Sequence, residues 1–572
     1  MDAVKSFKGY GKVDELDEQE FRRKTRKRII ILITSLVLLI VLIIGVVAGT
    51  LIHKNNKSGE TPATSTTPLA AIRSVCSVTQ YPDSCFTSLG SSNTSDPEKI
   101  FQFSLKVVMD SLVAVSTFPD EYINKTDDPL VKRALEVCAT VLNDAVYSIN
   151  DSISAMNVNK GERLISLPRI NDLETWLSTV ITDQETCFDA LDEANATFSD
   201  EIRVLMTKST QFASNSLAIV TKLLGILGDF KIPIHRRLMG AESNFPAWVA
   251  GGDRRLLQEI RPKPDVTVAS DGSGDVRTIN EAVTRIPEKS TTRFVIYVKK
   301  GEYVENVLLD KSHWNVMVYG DGKTATIVTS DKSVVGHNIT TFDTSTFAVA
   351  GKGFIARDIG FKNTAGAINH QAVALRSGSD QSVFYRCSFD AFQDTLYVHS
   401  NRQFYRECDV TGTIDFIFGN AAVIFQNCNI MPRQPLPNQF VTITAQGKKD
   451  PNQNTGISIQ RCTMIPLDNL TAQTYLGRPW KDYSTTIIMQ TSIGGFLNPK
   501  GWISWIQNVD PPSSIVYAEY QNTGLGATTG ERVTWAGYKP TLTMSEATKY
   551  NVQAFIQGAS WLPETRVTFD ST

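Results

Sequence analysis

Asp394 and Asp415 carry the strongest chemical signal in the sequence. Each lies seven residues beyond a cysteine, Cys387 and Cys408, and each cysteine closes a similar tetrad, Phe384-Tyr385-Arg386-Cys387 and Tyr405-Arg406-Glu407-Cys408. Phe425-Gln426-Asn427-Cys428 is a third copy, and Ile459-Gln460-Arg461-Cys462 a more distant one. The first three cysteines are separated by 21 and 20 residues. A repeat of that length in a strand-rich stretch is the signature of a β-helix, whose coils stack through parallel strands. The shared count places the two aspartates at one position on adjacent coils, with α-carbons about 5 Å apart. Like charges at that distance are destabilising unless one carboxyl keeps its proton or a cation intervenes. Two carboxyls held in different protonation states can divide acid–base and nucleophilic work. Gln371 precedes Gln393 by 22 residues, about one coil, so two amides approach the same patch. β-Helices also stack Asn and Asp at turns for purely structural reasons, but two acids beside two amides form a chemical constellation.

The frame that must position these groups is residues 261–572, where short β-rich runs are separated by Gly, Asn and Asp. Ahead of it the character of the 572-residue chain changes twice. Residues 1–57 carry net +5, residues 58–257 net −8 and residues 258–572 net +1, and the total of −2 argues against a nucleic-acid binder. Ile29 to Ile52 is an uncharged stretch of 24 residues preceded by Arg22-Arg23-Lys24-Thr25-Arg26-Lys27-Arg28. It predicts a transmembrane signal anchor at 29–52, with residues 1–28 in the cytoplasm and everything downstream exported. Residues 53–68 read as a stalk. Sequons at Asn93, Asn124, Asn195 and Asn469, and all 8 cysteines, lie beyond the anchor, as a secreted glycoprotein requires.

Residues 69–230 show helical spacing of apolar residues. The stripes run through Ile100, Phe103, Val107, Leu112 and Val115; Leu130, Ala134, Val137, Val141 and Leu142; Leu173, Leu177, Val180 and Ile181; and Ile202, Leu205, Phe212 and Leu217 to Leu224. Asp172 and Asp200 are the expected N-caps, and an all-α four-helix bundle is the economical architecture. Cys76, Cys85, Cys138 and Cys187 allow three pairings; Cys76–Cys85 with Cys138–Cys187 strains the chain least. No clustered histidines, Gly-rich loop or paired acids suggest chemistry here, so the bundle reads as an interaction or folding module. Residues 231–260 form a linker with two Arg-Arg-Leu copies, at Arg236-Arg237 and Arg254-Arg255, which points to a processing protease.

Four blocks in order, Gln371-Ala372-Val373-Ala374-Leu375, Gln393-Asp394-Thr395-Leu396, Asp415-Phe416-Ile417-Phe418-Gly419-Asn420 and Leu476-Gly477-Arg478-Pro479-Trp480, resemble the signature blocks of plant pectin methylesterases. Gly301-Glu302-Tyr303-Val304-Glu305 matches a further block, and residues 69–230 resemble the inhibitor domain that precedes the enzyme in many plant members. The resemblance implies a right-handed parallel β-helix, and hydrolysis of the C6 methyl ester of galacturonate units in homogalacturonan, the methylated chain of pectin, with release of methanol. It implies Asp415 as nucleophile, Asp394 as proton donor and then base, and Gln371 and Gln393 as donors to the oxyanion. Arg478 would hold Asp415 ionised, Thr341 and Trp480 would meet substrate, and no cofactor or metal is implied. Stacking alone leaves Cys387 and Cys428 as rival partners for Cys408; the family pattern implies Cys408–Cys428, with Cys387 and Cys462 unpaired. The inhibitor-like region becomes an intramolecular partner removed before the enzyme reaches the cell wall.

Rival functions separate cleanly. No G-x-S-x-G elbow supports a serine esterase. Carboxyls about 5 Å apart would also suit a retaining glycosidase, which would shorten the polymer instead of releasing methanol. A pectate lyase would want a calcium cluster of acids. A catalytically dead binding module is the rival outside enzymes, and intact Asp394, Asp415 and Arg478 argue against it.

Overall fold

The computed structural model describes residues 67–157, 166–224 and 262–571. The expected anchor at 29–52, the basic segment before it, most of the stalk and the linker arginines Arg236, Arg237, Arg254 and Arg255 lie outside the described residues.

Four long helices, Pro97–Val115, Pro129–Ala155, Leu167–Glu193 and Ser199–Ala218, share one core with the shorter Pro68–Cys76, Pro82–Leu89 and Phe118–Ile123. Local chemistry sets where they start. Asp96 and Asp128 cap the first two, accepting from the N–H groups of Glu98 and Leu130 at 2.9 and 2.8 Å, each just ahead of a proline at the first helical position. The expected caps at Asp172 and Asp200 are corrected: proline in the first turn starts one helix already at Leu167, and Asp200 lies in the first turn of the next. The stripe of the Pro97–Val115 helix is centred on Phe101, Leu105 and Val108, with Phe103 and Val107 at its margin. Cys76–Cys85 and Cys138–Cys187 are bonded as the spacing predicts, the second joining the two 27-residue helices.

From Val266 onward the chain winds into three parallel sheets of 11, 7 and 8 strands. The tetrads stack in the expected register, Phe384 on Tyr405 on Phe425 on Ile459. The rings of Phe384, Tyr405 and Phe425 lie face to face with centroids 4.6 Å apart. Seven successive coils then turn on one left-handed residue directly after the strand in the 11-stranded sheet: Asp358, Arg386, Glu407, Asn427, Arg461, Gln490 and Gln521, with φ of 50–56°. A single αL residue bends the strand sharply, and the N–H groups of the first four still bond the next coil's carbonyl at 3.0–3.2 Å. The conformation is therefore paid back by an unbroken ladder, which offsets the strain of a non-glycine αL residue.

The residue after each corner points inward, which stacks Cys387, Cys408, Cys428 and Cys462 in the core. All four are free thiols, so the expected Cys408–Cys428 bridge is corrected. Stacked side chains in a parallel sheet run side by side about 4.8 Å apart, whereas a disulfide draws the β-carbons to about 3.8 Å. Two of the sulfurs instead accept from the preceding coil, Cys408 N–H to Cys428 Sγ at 3.4 Å and Cys428 N–H to Cys462 Sγ at 3.3 Å. Unfolding the protein in denaturant without reductant should expose four titratable thiols; a count of two would restore the bridge.

Two faces of the β-helix are covered. Val552, Ile556, Trp561 and Leu562 from the C-terminal segment pack on the outer face of the 11-stranded sheet. The helical core closes over Val373, Tyr397, Phe418 and Ala445, which project outward from the seven-strand face. The sequon asparagines Asn93, Asn124, Asn195 and Asn469 are exposed.

Candidate active site

The seven-strand face carries the chemistry. Leu396 pairs with Ile417, and Ile417 with Thr444, so Asp394, Asp415 and Thr442 occupy one position on three successive coils. Asp394 and Asp415 both adopt positive φ, 62° and 52°, which lifts each carboxyl at the entrance of its strand. The Asp394 N–H bonds Ile414 O at 3.0 Å, holding the two corners together. Gln393, on the Asp394 coil, forms an isolated parallel bridge with Gln371 on the coil before it, as the 22-residue spacing predicts.

The two carboxyls have different surroundings. Arg478 donates to Asp415 through Nε at 2.9 and 3.1 Å and through Nη2 at 2.5 Å. Thr442 accepts from the Asp415 N–H at 2.9 Å and donates its hydroxyl to Oδ1 at 2.6 Å. The Asp415 carboxylate is thus gripped by a guanidinium fork and a hydroxyl, which fixes its orientation. Asp394 has no such clamp. Burial, then the neighbouring charges of Asp415 and Glu193, push its pKa well above the ordinary carboxylate range against the weaker pull of Arg478. A carboxyl whose burial favours its proton thus sits one coil from a carboxyl clamped by a guanidinium.

Gln371, Gln393, Asp394, Asp415 and Arg478 line one cleft of about 350 Å3. Its walls are aromatic. Tyr397 stacks on Phe418 at 4.2 Å, Phe418 leads to Trp480 at 6.3 Å, and Trp480 lies near parallel to Trp505 at 6.2 Å. Trp480 is therefore a half-buried wall of the cleft. Gly447 lies behind it; a Cβ there would approach the indole to 2.8 Å, so a side chain at 447 would displace the ring.

Thr442 and Trp505 were not legible beforehand. The seven-residue count from cysteine to site becomes 14 between Cys428 and Thr442, because that coil is longer. Trp505 sits after the last matched block and has no repeat partner.

One helix of the first region lies over this cleft, where an intramolecular inhibitor-like partner is expected, although the sequence did not single out which helix. Thr186, Asp189, Ala190, Asp192 and Glu193 complete its lining. The Glu193 carboxylate accepts from the Thr341 N–H at 3.0 and 3.1 Å and from its hydroxyl at 2.7 Å. Lys481 pairs with Asp189 at 2.5 Å and more loosely with Glu185 at 3.8 Å. Along the same helix Asp172 meets Arg402, Trp176 meets Asp380, Thr179 meets Asn401, Thr182 meets Asn420 and Thr186 meets His399. The steps of three and four residues mark one helix face.

A β-helix that sets an arginine-clamped carboxylate against a protonated carboxyl, with two amides and aromatic walls beside them, defines a carboxylic ester hydrolase acting on a carbohydrate-sized substrate. The chain belongs to the pectinesterase family, whose model matches residues 265–559. Residues 70–219 match the plant invertase/pectin methylesterase inhibitor family. It is 58% identical to pectinesterase 3 of Phaseolus vulgaris over 100% of both chains, and 55% identical to pectinesterase 1 of Arabidopsis thaliana over 99% of both. The solved pectin methylesterase from carrot is 52% identical, with a TM-score of 0.53 over 54% of this chain and 98% of its own.

Proposed function

We propose that residues 261–572 hydrolyse C6 methyl esters of homogalacturonan, and that the helical region at 69–230, a four-helix bundle, silences them until it is removed. The unequal surroundings of Asp394 and Asp415, one buried without a cation clamp and the other gripped by Arg478, carry the catalytic reading. Ionised Asp415 attacks the ester carbonyl, and the C–O bond forms as the carbonyl electrons move onto oxygen. Gln371 and Gln393 donate N–H groups to that oxyanion. Collapse of the intermediate expels methoxide, which takes the proton of Asp394 and leaves as methanol. Asp394, now a carboxylate, draws a proton from water as it attacks the acyl-enzyme, and Asp415 departs ionised towards Arg478. Thr341 and the aromatic walls hold the flanking sugars, and no cofactor enters any step.

The silencing reading rests on the helix that covers the cleft. Its carboxylate at Glu193 takes the two donors of Thr341, so substrate and helix compete for the same groups. Removal after Arg254-Arg255-Leu256-Leu257, or less often after Arg236-Arg237-Leu238-Met239, would free the enzyme from both the helix and the anchor at 29–52, and let it reach the cell wall. Full-length protein carrying an inserted site for a specific protease in the 231–260 linker tests the function. After cutting, it should release methanol from methylated pectin without shortening the chain. Polymer shortening without methanol would instead favour a glycosidase.

A further inference from the structure

Asp189 and Glu193 lie one helical turn apart, about 6 Å along the axis. They deliver two carboxylates to two receptors on the β-helix, Lys481 and Thr341. Lys481 directly follows the cleft wall Trp480, and its ammonium lies 5.2 Å from the centre of that ring. It is mostly buried beneath the helix, with its side chain 18% exposed, and the carboxylates that pair with it there, Asp189 and Glu185, both belong to the helix. Lys449 is different, since Asp482 of the β-helix pairs with it at 2.9 Å. Once the helix leaves, Lys481 loses both carboxylates and faces the cleft beside a sugar-sized aromatic plane.

We propose that Lys481 is a specificity residue that binds the free carboxylate of a galacturonate unit flanking the methyl ester, and that Asp189 copies this carboxylate in the uncut chain. The inference rests on the esterase reading above. Homogalacturonan offers only two groups at C6, a neutral ester or an anion. A buried-edge ammonium discriminates between them because a charge-assisted contact in a partly dry cleft is stronger than a neutral one. The enzyme would then favour partly de-esterified chain, and each turnover would create the anion that the next binding event uses.

The test uses full-length protein cut at an inserted linker site, with the helical region separated. Methanol release is followed on fully methylated and on partly de-esterified pectin of matched length. The wild type should prefer the partly de-esterified polymer by about tenfold in kcat/KM, the scale of one charge-assisted hydrogen bond. In Lys481→Met that ratio should fall to near one, and Lys481→Arg should restore most of it. Fully de-esterified polygalacturonate, used as an inhibitor, should lose about tenfold in affinity to Lys481→Met. A ratio unchanged in a folded Lys481→Met variant, or no preference in the wild type, would overturn the proposal. No methanol from either substrate in the wild type would overturn the esterase reading itself, a distinct failure.

Discussion

Asp415→Asn abolishes turnover, by about 10⁴-fold or more, while leaving the coil stack intact. The asparagine amide keeps the shape of the carboxylate and can still accept from Arg478 and Thr442 through its oxygen. It has no nucleophilic oxygen charge, so no acyl-enzyme forms. Asp394→Ala should be nearly as inactive, because neither the methoxide nor the attacking water then finds its proton partner. Gln393→Ala should lose about 10²-fold, the usual cost of one oxyanion donor. The measurement is methanol release from cut protein, with circular dichroism and thermal unfolding to show that each variant is folded. Substantial methanol from folded Asp415→Asn would remove it as nucleophile, and wild-type rates in Gln393→Ala would remove that amide from the oxyanion site.

The residues in that prediction could be found before any coordinates existed because β-helix coils repeat. Once Cys387 and Cys408 are aligned, every residue on the same stretch inherits a neighbour, and the Asp394–Asp415 and Gln371–Gln393 contacts follow by counting. The count fails where a coil changes length, which is why Thr442 stayed hidden. Cysteine stacking was legible but its chemistry was not, since vertical neighbours look like bridge partners until the parallel side-chain directions are considered. The covering helix was hidden for a different reason. Asp172, Trp176, Thr179, Thr182, Thr186, Asp189 and Glu193 are mostly polar, and a polar stripe on an amphipathic helix reads as the solvent face. Thr179, Thr182 and Thr186 are in fact at most 5% exposed, and only the second domain makes them so.

That covering surface carries the second large effect. A variant with Arg236, Arg237, Arg254 and Arg255 all changed to alanine should remain in the cell and be poorly active. An attached helix meets the cleft at an effective concentration on the order of mM, so a Kd of about 1 μM would leave only about 0.1% of molecules open. Activity should return when an inserted protease site is cut. A second variant removes the ambiguity between silencing and simple assistance in folding. In the uncuttable background, Asp189→Lys sets a like charge against Lys481, and Glu193→Ala leaves both Thr341 donors without an acceptor. The pair should open the cleft without proteolysis and raise methanol release by about tenfold or more, as expected when a desolvated charge pair is reversed. Acidity should act on the same contact with a defined sign. Burial raises the pKa of Glu185, Asp189 and Glu193, against the opposing pull of Lys481 on the first two and of Thr341 on the third. Raised values mean that the covered state takes up protons, so the contribution of these groups is complete below their free pKa and is lost as pH rises through the raised one. The uncut chain should therefore be held most tightly at acidic pH and leak most activity above it. Full secretion of active, uncut quadruple-alanine protein, with no response to Asp189→Lys or to pH, would leave the helical region a folding aid alone.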